Sequence, residues 1–270
     1  MKTFIASLSF LLTTIIWLSC ASEKPSQTQQ DLAPITSVKS TTSSISPITL
    51  DDVMGKFIPA EDDDFVIIDM AYASRENMYL HKDSYTAFLK MHAAAKEDSI
   101  NLTIRSATRN FYDQKRIWEN KWNGNTLVEG GQNLAKTVAD PKDRALIILK
   151  FSSMPGSSRH HWGTDIDINN FENSYFESGQ GLKEYNWLVE NAPSFGFCQP
   201  YTAKDNQRPN GYNEEKWHWS YLPVAVPLTR FVEKHLLNNM IEGFEGATTA
   251  QAIDIKTNYM LGINKTCLAE

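Results

Sequence analysis

The densest polar cluster of the chain is Ser158-Arg159-His160-His161-Trp162-Gly163-Thr164-Asp165-Ile166-Asp167. A strand from Thr164 to Ile168 places Asp165 and Asp167 on one face, because successive side chains of a strand alternate sides. Two carboxylates pointing one way are costly unless a cation or a set of donors meets them. A turn through Trp162 and Gly163 brings His160 back towards Asp167, offering a nitrogen and an oxygen ligand to a zinc-like ion. His161 is the rival for that role. On its own the cluster also reads as a solvated turn beside a strand-edge acid, which is the commoner case.

A second cluster is Glu214-Glu215-Lys216-Trp217-His218-Trp219-Ser220-Tyr221. Two tryptophans flanking a histidine suggest a ring held in a walled pocket, although both could be core residues with His218 facing outward. A hydrolytic zinc site needs three protein ligands, an open coordination position and a carboxylate that takes a proton from water. His160, Asp167 and His218 would supply the ligands and Glu215 the base. Three residues separate Glu215 from His218, which in an ideal strand gives opposite faces, so the backbone must turn or bulge there. The third cluster runs from Arg105 to Gln114. An arginine fork recognises a free carboxylate with paired charge-assisted hydrogen bonds. If Asn110 starts a helix, Gln114 lies one turn on and points beside Arg109. The bland alternative is a capped helix carrying a surface arginine.

The elements that must position these residues are legible as short runs. Phe65 to Ile68 and Leu102 to Ile104 are β-prone. Apolar residues recur at helical spacing between a Ser84 cap and Asp98. Asn110 caps a second helix through Ile117 and Trp118, and Pro141 suits the first position of a third, Asp143 to Phe151. A fourth helix spans Leu182 to Asn191, and the strands Thr164 to Ile168 and Lys216 to Tyr221 carry the unusual residues. Helices mixed with short strands, without a regular βαβ rhythm, predict an α+β domain.

The chain has 270 residues with a formal net charge of −6 and a pI near 5.6, which gives no sign of a phosphate-binding face and argues against nucleic acid as a partner. Residues 1–20 read as an export signal: Lys2, an apolar run from Phe4 to Leu18, then small residues around Cys20. Cys20 suits lipidation as in a bacterial lipoprotein, although Trp17 and Leu18 depart from the usual pattern. Residues 21–49 are rich in Ser, Thr, Gln and Pro and read as a disordered linker, leaving 50–270 as one folded domain. The expected location is the periplasm or cell envelope. No later stretch is apolar enough to span a bilayer, and nothing points to oligomerisation, so a monomer is expected. Cys198 and Cys267 form an even pair for an exported protein, which suggests a bridge holding the C-terminal tail, with two buried thiols as the alternative.

Together and in this order, the three clusters resemble the VanY-type D-alanyl-D-alanine carboxypeptidases of the LAS group of zinc peptidases. Ser158, His160, Gly163 and Asp167 match the Ser-x-His, Gly and Asp of that family. Glu215, Trp217 and His218 match its Glu-x-Trp-His, and Ser106, Arg109 and Gln114 match its Ser-x-x-Arg and Gln. The resemblance extends from about Gly55 to Glu233. It implies a small central antiparallel sheet flanked by helices with zinc on the sheet, as in the LAS and Hedgehog-like fold. It implies His160, Asp167 and His218 as Zn2+ ligands and Glu215 as general base. Arg109, Gln114 and Ser158 would bind the terminal carboxylate or polarise the scissile carbonyl of a peptidoglycan stem peptide that loses a terminal D-Ala. Asp165, Lys216 and His161 depart from the family pattern. D,D- and L,D-specificity are not separable here. An endopeptidase of the same group, a non-catalytic zinc-containing wall-binding protein and a metal-free sugar-binding lipoprotein are the alternatives.

Overall fold

The computed structural model describes residues 47–268. The expected export signal, Cys20 and the linker up to residue 46 lie outside the described residues. Thr49 opens the fold by capping α1 (Leu50–Met54): its Oγ1 accepts from Asp52 N at 3.2 Å while its own N–H donates to Asp52 Oδ2 at 2.7 Å. A small antiparallel pair follows, β1 (Phe65–Ile67) with β2 (Tyr79–His81). The chain passes straight from β2 into α2 (Lys82–Glu97), so His81, not Ser84, is the cap, with its Nδ1 accepting from Asp83 N. Ser84 is buried inside the first turns. The expected spacing holds beyond that point, since Ala87, Phe88, Met91 and Ala95 are the buried positions.

β3 is Ile104–Ser106, later than the expected Leu102 to Ile104, because the N–H of Thr103 goes to the Asn169 side chain rather than to a ladder. Asn110 caps α3 (Phe111–Trp122) by accepting from Asp113 N. A short α4 (Leu134–Thr137) precedes α5 (Pro141–Ile148), which starts on the expected proline and stops short of Phe151. β4 (Asp165–Ile168), α6 (Gly179–Asn191), β5 (Phe197–Cys198) and β6 (His218–Tyr221) follow. The sequence did not reveal α7 (Leu222–His235), because Pro223 and Pro227 lie in it; Pro223 sits in its first turn, where a missing N–H costs little. A short α8 (Thr249–Ile253) leads into the tail.

The strands β3-β4-β6-β5 form one four-stranded antiparallel sheet, and with the flanking helices this is a mixed α+β domain. Alternation along the strands sorts two environments. Ile104, Ile166, Ile168 and Trp219 join Phe88 and Met91 of α2 and Leu188 of α6 in one apolar cluster. Asp165, Asp167, His218 and Ser220 take the intervening positions, which places them on the opposite face. A second apolar cluster gathers α1, α3, α5, α7 and α8 around Trp118, Leu134, Ile148 and Val232. Cys198 at the end of β5 is bridged to Cys267, Cα to Cα 5.6 Å, so the tail is tied to the sheet as the even cysteine pair suggested.

Gly163 links the histidine turn to β4. It is left-handed, with φ of 65°, its carbonyl accepts from His81 N, and a Cβ would lie 2.7 Å from that backbone nitrogen. A side chain there is strained in conformation and collides with β2. Gly163→Ala is therefore expected to lower stability by about 1–3 kcal/mol, read as a drop in the urea midpoint with an unchanged slope; a midpoint equal to that of the native protein would refute the close approach.

Candidate metal centre and active-site cavity

Residues 159–162 form one tight turn that Ser158 caps, its Oγ accepting from His160 N at 3.3 Å. This turn sends consecutive histidines in different directions. The Nδ1–H of His160 donates to Ala107 O at 2.9 Å, leaving Nε2 as a lone pair 3.4 Å from Asp167 Oδ2. In His161 both ring nitrogens are used by backbone: Gly156 N–H donates to Nε2 at 3.0 Å, so Nδ1–H donates to Arg109 O at 2.6 Å. His161 is thus a structural clasp, and of the two histidines it is His160 that offers a ring nitrogen to the cluster.

β4 and β6 bring the remaining groups in. Asp167 stands opposite His218 and Asp165 opposite Ser220, so the two aspartates straddle one imidazole. His218 Nε2–H donates to Asp165 Oδ2 at 2.8 Å, which leaves Nδ1 facing Asp167 Oδ1 at 3.2 Å. The turn required between Glu215 and His218 is present: His218 N–H donates to Glu215 O, and the Glu215 carboxylate comes within 3.2 Å of the same Nδ1. Lys216, at a position where proline is common in the family resembled, donates its N–H to Asn173 Oδ1 at 3.0 Å. Asn173 returns a bond to Glu214 O, so a proline here would break one half of the clamp that holds Glu215.

Ligand atoms of His160, Asp167 and His218 lie within 4.8 Å of one another and all three residues are buried. The arrangement fits a metal ion on its own terms. Two imidazole lone pairs and two carboxylates converge, and Asp167 Oδ1 is buried without a hydrogen-bond partner. Each imidazole has its other nitrogen bonded to a carbonyl or carboxylate, the outer support usual for metal-bound histidine. Two nitrogens and one oxygen match the donor chemistry of zinc. The electrostatics agree. Burial opposes charge on His218, yet the carboxylates of Asp165, Asp167 and Glu215 around the ring outweigh it and raise its pKa, so the site calls for positive charge. Burial pushes the Glu215 carboxyl up, towards the range of a proton carrier.

Asp165 is itself fully enclosed. Arg159 Nε donates to its Oδ2 at 3.1 Å, Ser220 Oγ and Thr164 Oγ1 donate to Oδ1 at 2.6 and 2.7 Å, and Arg159 continues to Ser220 Oγ and to Thr229 of α7. Burial works against its ionisation, but Arg159 and His218 hold the carboxyl well below the usual range.

Above these groups opens a cavity of about 750 Å³ lined by Arg109, Ser158, Glu215 and the three candidate ligands. Arg109 Nη1 donates to Ser106 Oγ at 2.8 Å and lies 3.9 Å from Asp167 Oδ2. Gln114 is not part of the cavity lining. Its side chain is buried behind it and donates to Ser153 O at 2.8 Å, so it braces a wall residue rather than facing the opening. Sequence reasoning missed Tyr201, whose ring centroid is 4.6 Å from that of His218, and Tyr212, Phe151, Asn173 and Lys121. Tyr201 and Tyr212 come from irregular segments, Asn173 from the start of a 3-10 turn and Phe151 from just beyond α5, and none carries a local signal of a cavity role. Lys121 lies seven residues after Gln114, two turns along the same face of α3, and helical spacing could have found it.

Residues 77–224, more than half of the chain, match the family model of VanY, the D-alanyl-D-alanine carboxypeptidases. The chain belongs to this family. The VanY match begins before β2 and ends inside α7, so it includes every residue of the centre described above. Among curated proteins, the chain is 36% identical over 83 residues to an uncharacterised protein of Haemophilus influenzae, covering 26% of this chain and 60% of that one. It is 26% identical over 167 residues to a candidate carboxypeptidase, YodJ, of Bacillus subtilis, covering 60% of this chain and 54% of that one. It thus spans less than two thirds of both relatives. Among solved structures, similarity is found to the D,D-pentapeptidase VanY of a VanB-type resistance cassette in complex with Zn(II), at 24% identity, TM-score 0.45, 64% of this chain and 86% of that one. It is also found to the LD-carboxypeptidase LdcB, at 22% identity, TM-score 0.44, 74% of this chain and 79% of that one.

Two outcomes follow from the ring geometry. Asp165→Asn keeps the shape but removes the charge that sets the His218 tautomer, and is expected to weaken zinc binding roughly 10- to 100-fold, measured by competition with a chromophoric chelator; unchanged affinity would show that Asp165 does not orient the ligand. Burial pushes the His161 pKa down to about 3, whereas the unfolded chain takes up a proton near 6.5. Its stabilisation is therefore complete above pH 6.5 and is lost progressively as pH falls towards 3. The melting temperature of the metal-free protein should fall between pH 7 and 5, and His161→Gln should flatten that slope; equal slopes would exclude His161 as a source.

Proposed function

We propose that the protein is a zinc-dependent carboxypeptidase that removes a terminal D-Ala from peptidoglycan stem peptides. The observation that carries this reading is the placement of Glu215 Oε2 3.2 Å from a ring nitrogen of the His160, Asp167 and His218 cluster, on the floor of an open cavity, in a chain of the VanY family. A closed structural metal site has no use for a buried carboxylate at its open side, and hydrolysis does.

Zinc bound by His160 Nε2, Asp167 and His218 Nδ1 would supply polarisation of the scissile carbonyl and acidification of a water molecule. Glu215 takes the proton of the attacking water on its carboxylate and delivers it to the leaving amine of D-Ala. Its burial raises its pKa, which favours taking up the proton of the water. Arg109, beside Asp167, and Ser158 meet the oxygens of the substrate. Gln114 acts from behind, through the Ser153 carbonyl that it holds. Tyr201 and Trp217 wall the cavity and limit water around the reacting groups. No covalent intermediate with the protein is involved. An N-terminal stretch that reads as an export signal supports an activity outside the cytoplasm, with Cys20 as the candidate point of lipid attachment.

The test is mass-spectrometric detection of D-alanine released from muropeptides ending in D-Ala-D-Ala and in a single D-Ala. The native protein with Zn2+ should release D-alanine from one of them and stop when a chelator is added. Glu215→Ala should bind zinc yet lose roughly 100- to 10,000-fold in rate. Zinc bound stoichiometrically with no release from either substrate would overturn the reading.

A further inference from the structure

The cavity holds a cation that the catalytic reading leaves without a task. Lys121, near the end of α3, is half-buried and is one of the residues lining the cavity; its ammonium donates to Ser152 Oγ, next to the wall residue Ser153. Lys82, Lys115 and Lys150 near the surface and the largely buried Lys216 all lie within 4 Å of carboxylates. Lys121 has no such partner among the described residues, although a partly desolvated ammonium is the one that most needs an anion. Burial and the neighbouring Arg109 both act against its charge, with Glu215 in the opposite sense, so it lies within electrostatic range of the reacting groups. Arg109 is differently placed. Its guanidinium is bonded to Ser106 and lies 3.9 Å from Asp167, so part of its charge is already answered by that carboxylate.

Two cations in one cavity, one beside a ligand and one without a counter-anion, divide the work of binding a peptide end. We propose that Lys121 receives the terminal carboxylate of the bound stem peptide and is the residue that makes the enzyme demand a free chain end, while Arg109 stays with the scissile carbonyl. The inference rests on the carboxypeptidase reading above. The ammonium is a compact point charge with three donors, of which Ser152 takes one, leaving two for a carboxylate that enters over Ser153 and Ser158. The cost of holding Lys121 charged in the wall is then recovered when substrate arrives, and an end capped as an amide leaves that charge unmet.

The experiment uses the full chain with Zn2+ and two stem peptides that differ only in ending as D-Ala acid or D-Ala carboxamide, with kcat and KM measured for each. The native protein should prefer the acid. In Lys121→Met the acid-over-amide ratio of kcat/KM should fall roughly 100-fold, mostly through a higher KM for the acid. Lys121→Arg should keep most of the preference, and zinc content and melting temperature should follow the native protein in both. Equal losses on acid and amide would show a merely structural lysine, and an undiminished preference would assign the carboxylate to Arg109 instead; either overturns the inference while leaving the carboxypeptidase in place. A native protein inactive on both peptides would remove the functional reading and this inference with it.

Discussion

At the centre of the fold a carboxylate with no access to water is held by four donors from three elements. Asp165 receives Arg159 from the histidine turn, Thr164 from the residue that leads into β4, and Ser220 and His218 from β6. Arg159 is as buried as its partner, stacks over Trp162 at 4.6 Å, and extends to Thr229 of α7. Burying such a pair costs several kcal/mol per ion before their attraction offsets it, so its net contribution to stability is small. Its value lies in direction. With Asp165 fixed, His218 can turn only one nitrogen towards the cavity, and the turn that carries His160 can close only where Arg159 enters.

That constraint explains why most of the candidate metal centre stands on a sheet and not on a loop. Period-two alternation sends Ile166, Ile168 and Trp219 into the apolar cluster against α2 and α6, and the same alternation lines up Asp165, Asp167, His218 and Ser220 on the other face. A slip of one residue between β4 and β6 would bury the acids in hydrocarbon and expose the isoleucines, so the core protects the register of the site. The bridge between Cys198 and Cys267 fastens β5 at the edge of that sheet. The cavity wall is less regular: Tyr201, Tyr212 and Asn173 come from the connections around the last strands, where sequence variation can alter substrate choice without disturbing the ligands.

Much of this was readable from residue types and spacing. The candidate ligand trio, the candidate base Glu215 and the need for a turn before His218 came from the chemistry that zinc hydrolysis demands, and the common face of the two aspartates came from strand geometry alone. The Asn110 cap and the Pro141 start were legible because capping is local. Other elements were not. Ser84 looked like a cap and is an interior residue, since the cap depends on where β2 delivers the chain. Leu102 looked like strand and precedes it, because the Asn169 side chain takes the N–H of its neighbour. The two prolines of α7 concealed a helix that tertiary packing sustains.

The division has a physical basis. Within the sequence lie the interactions that act over a few residues: the periodicities of strand and helix, the caps, and the set of nitrogen and oxygen donors that can serve a metal. Those determined the family, the α+β class and the candidate ligands. Contacts between residues distant in the chain decided the rest. Backbone partners on Gly156 and Arg109 excluded His161, the Ser153 carbonyl drew Gln114 behind the wall, and the enclosure of Asp165 turned an extra acid into the support of His218. Whether a polar side chain is a ligand, a brace or a solvated charge depends on which groups meet it after folding, and that meeting exists only in three dimensions.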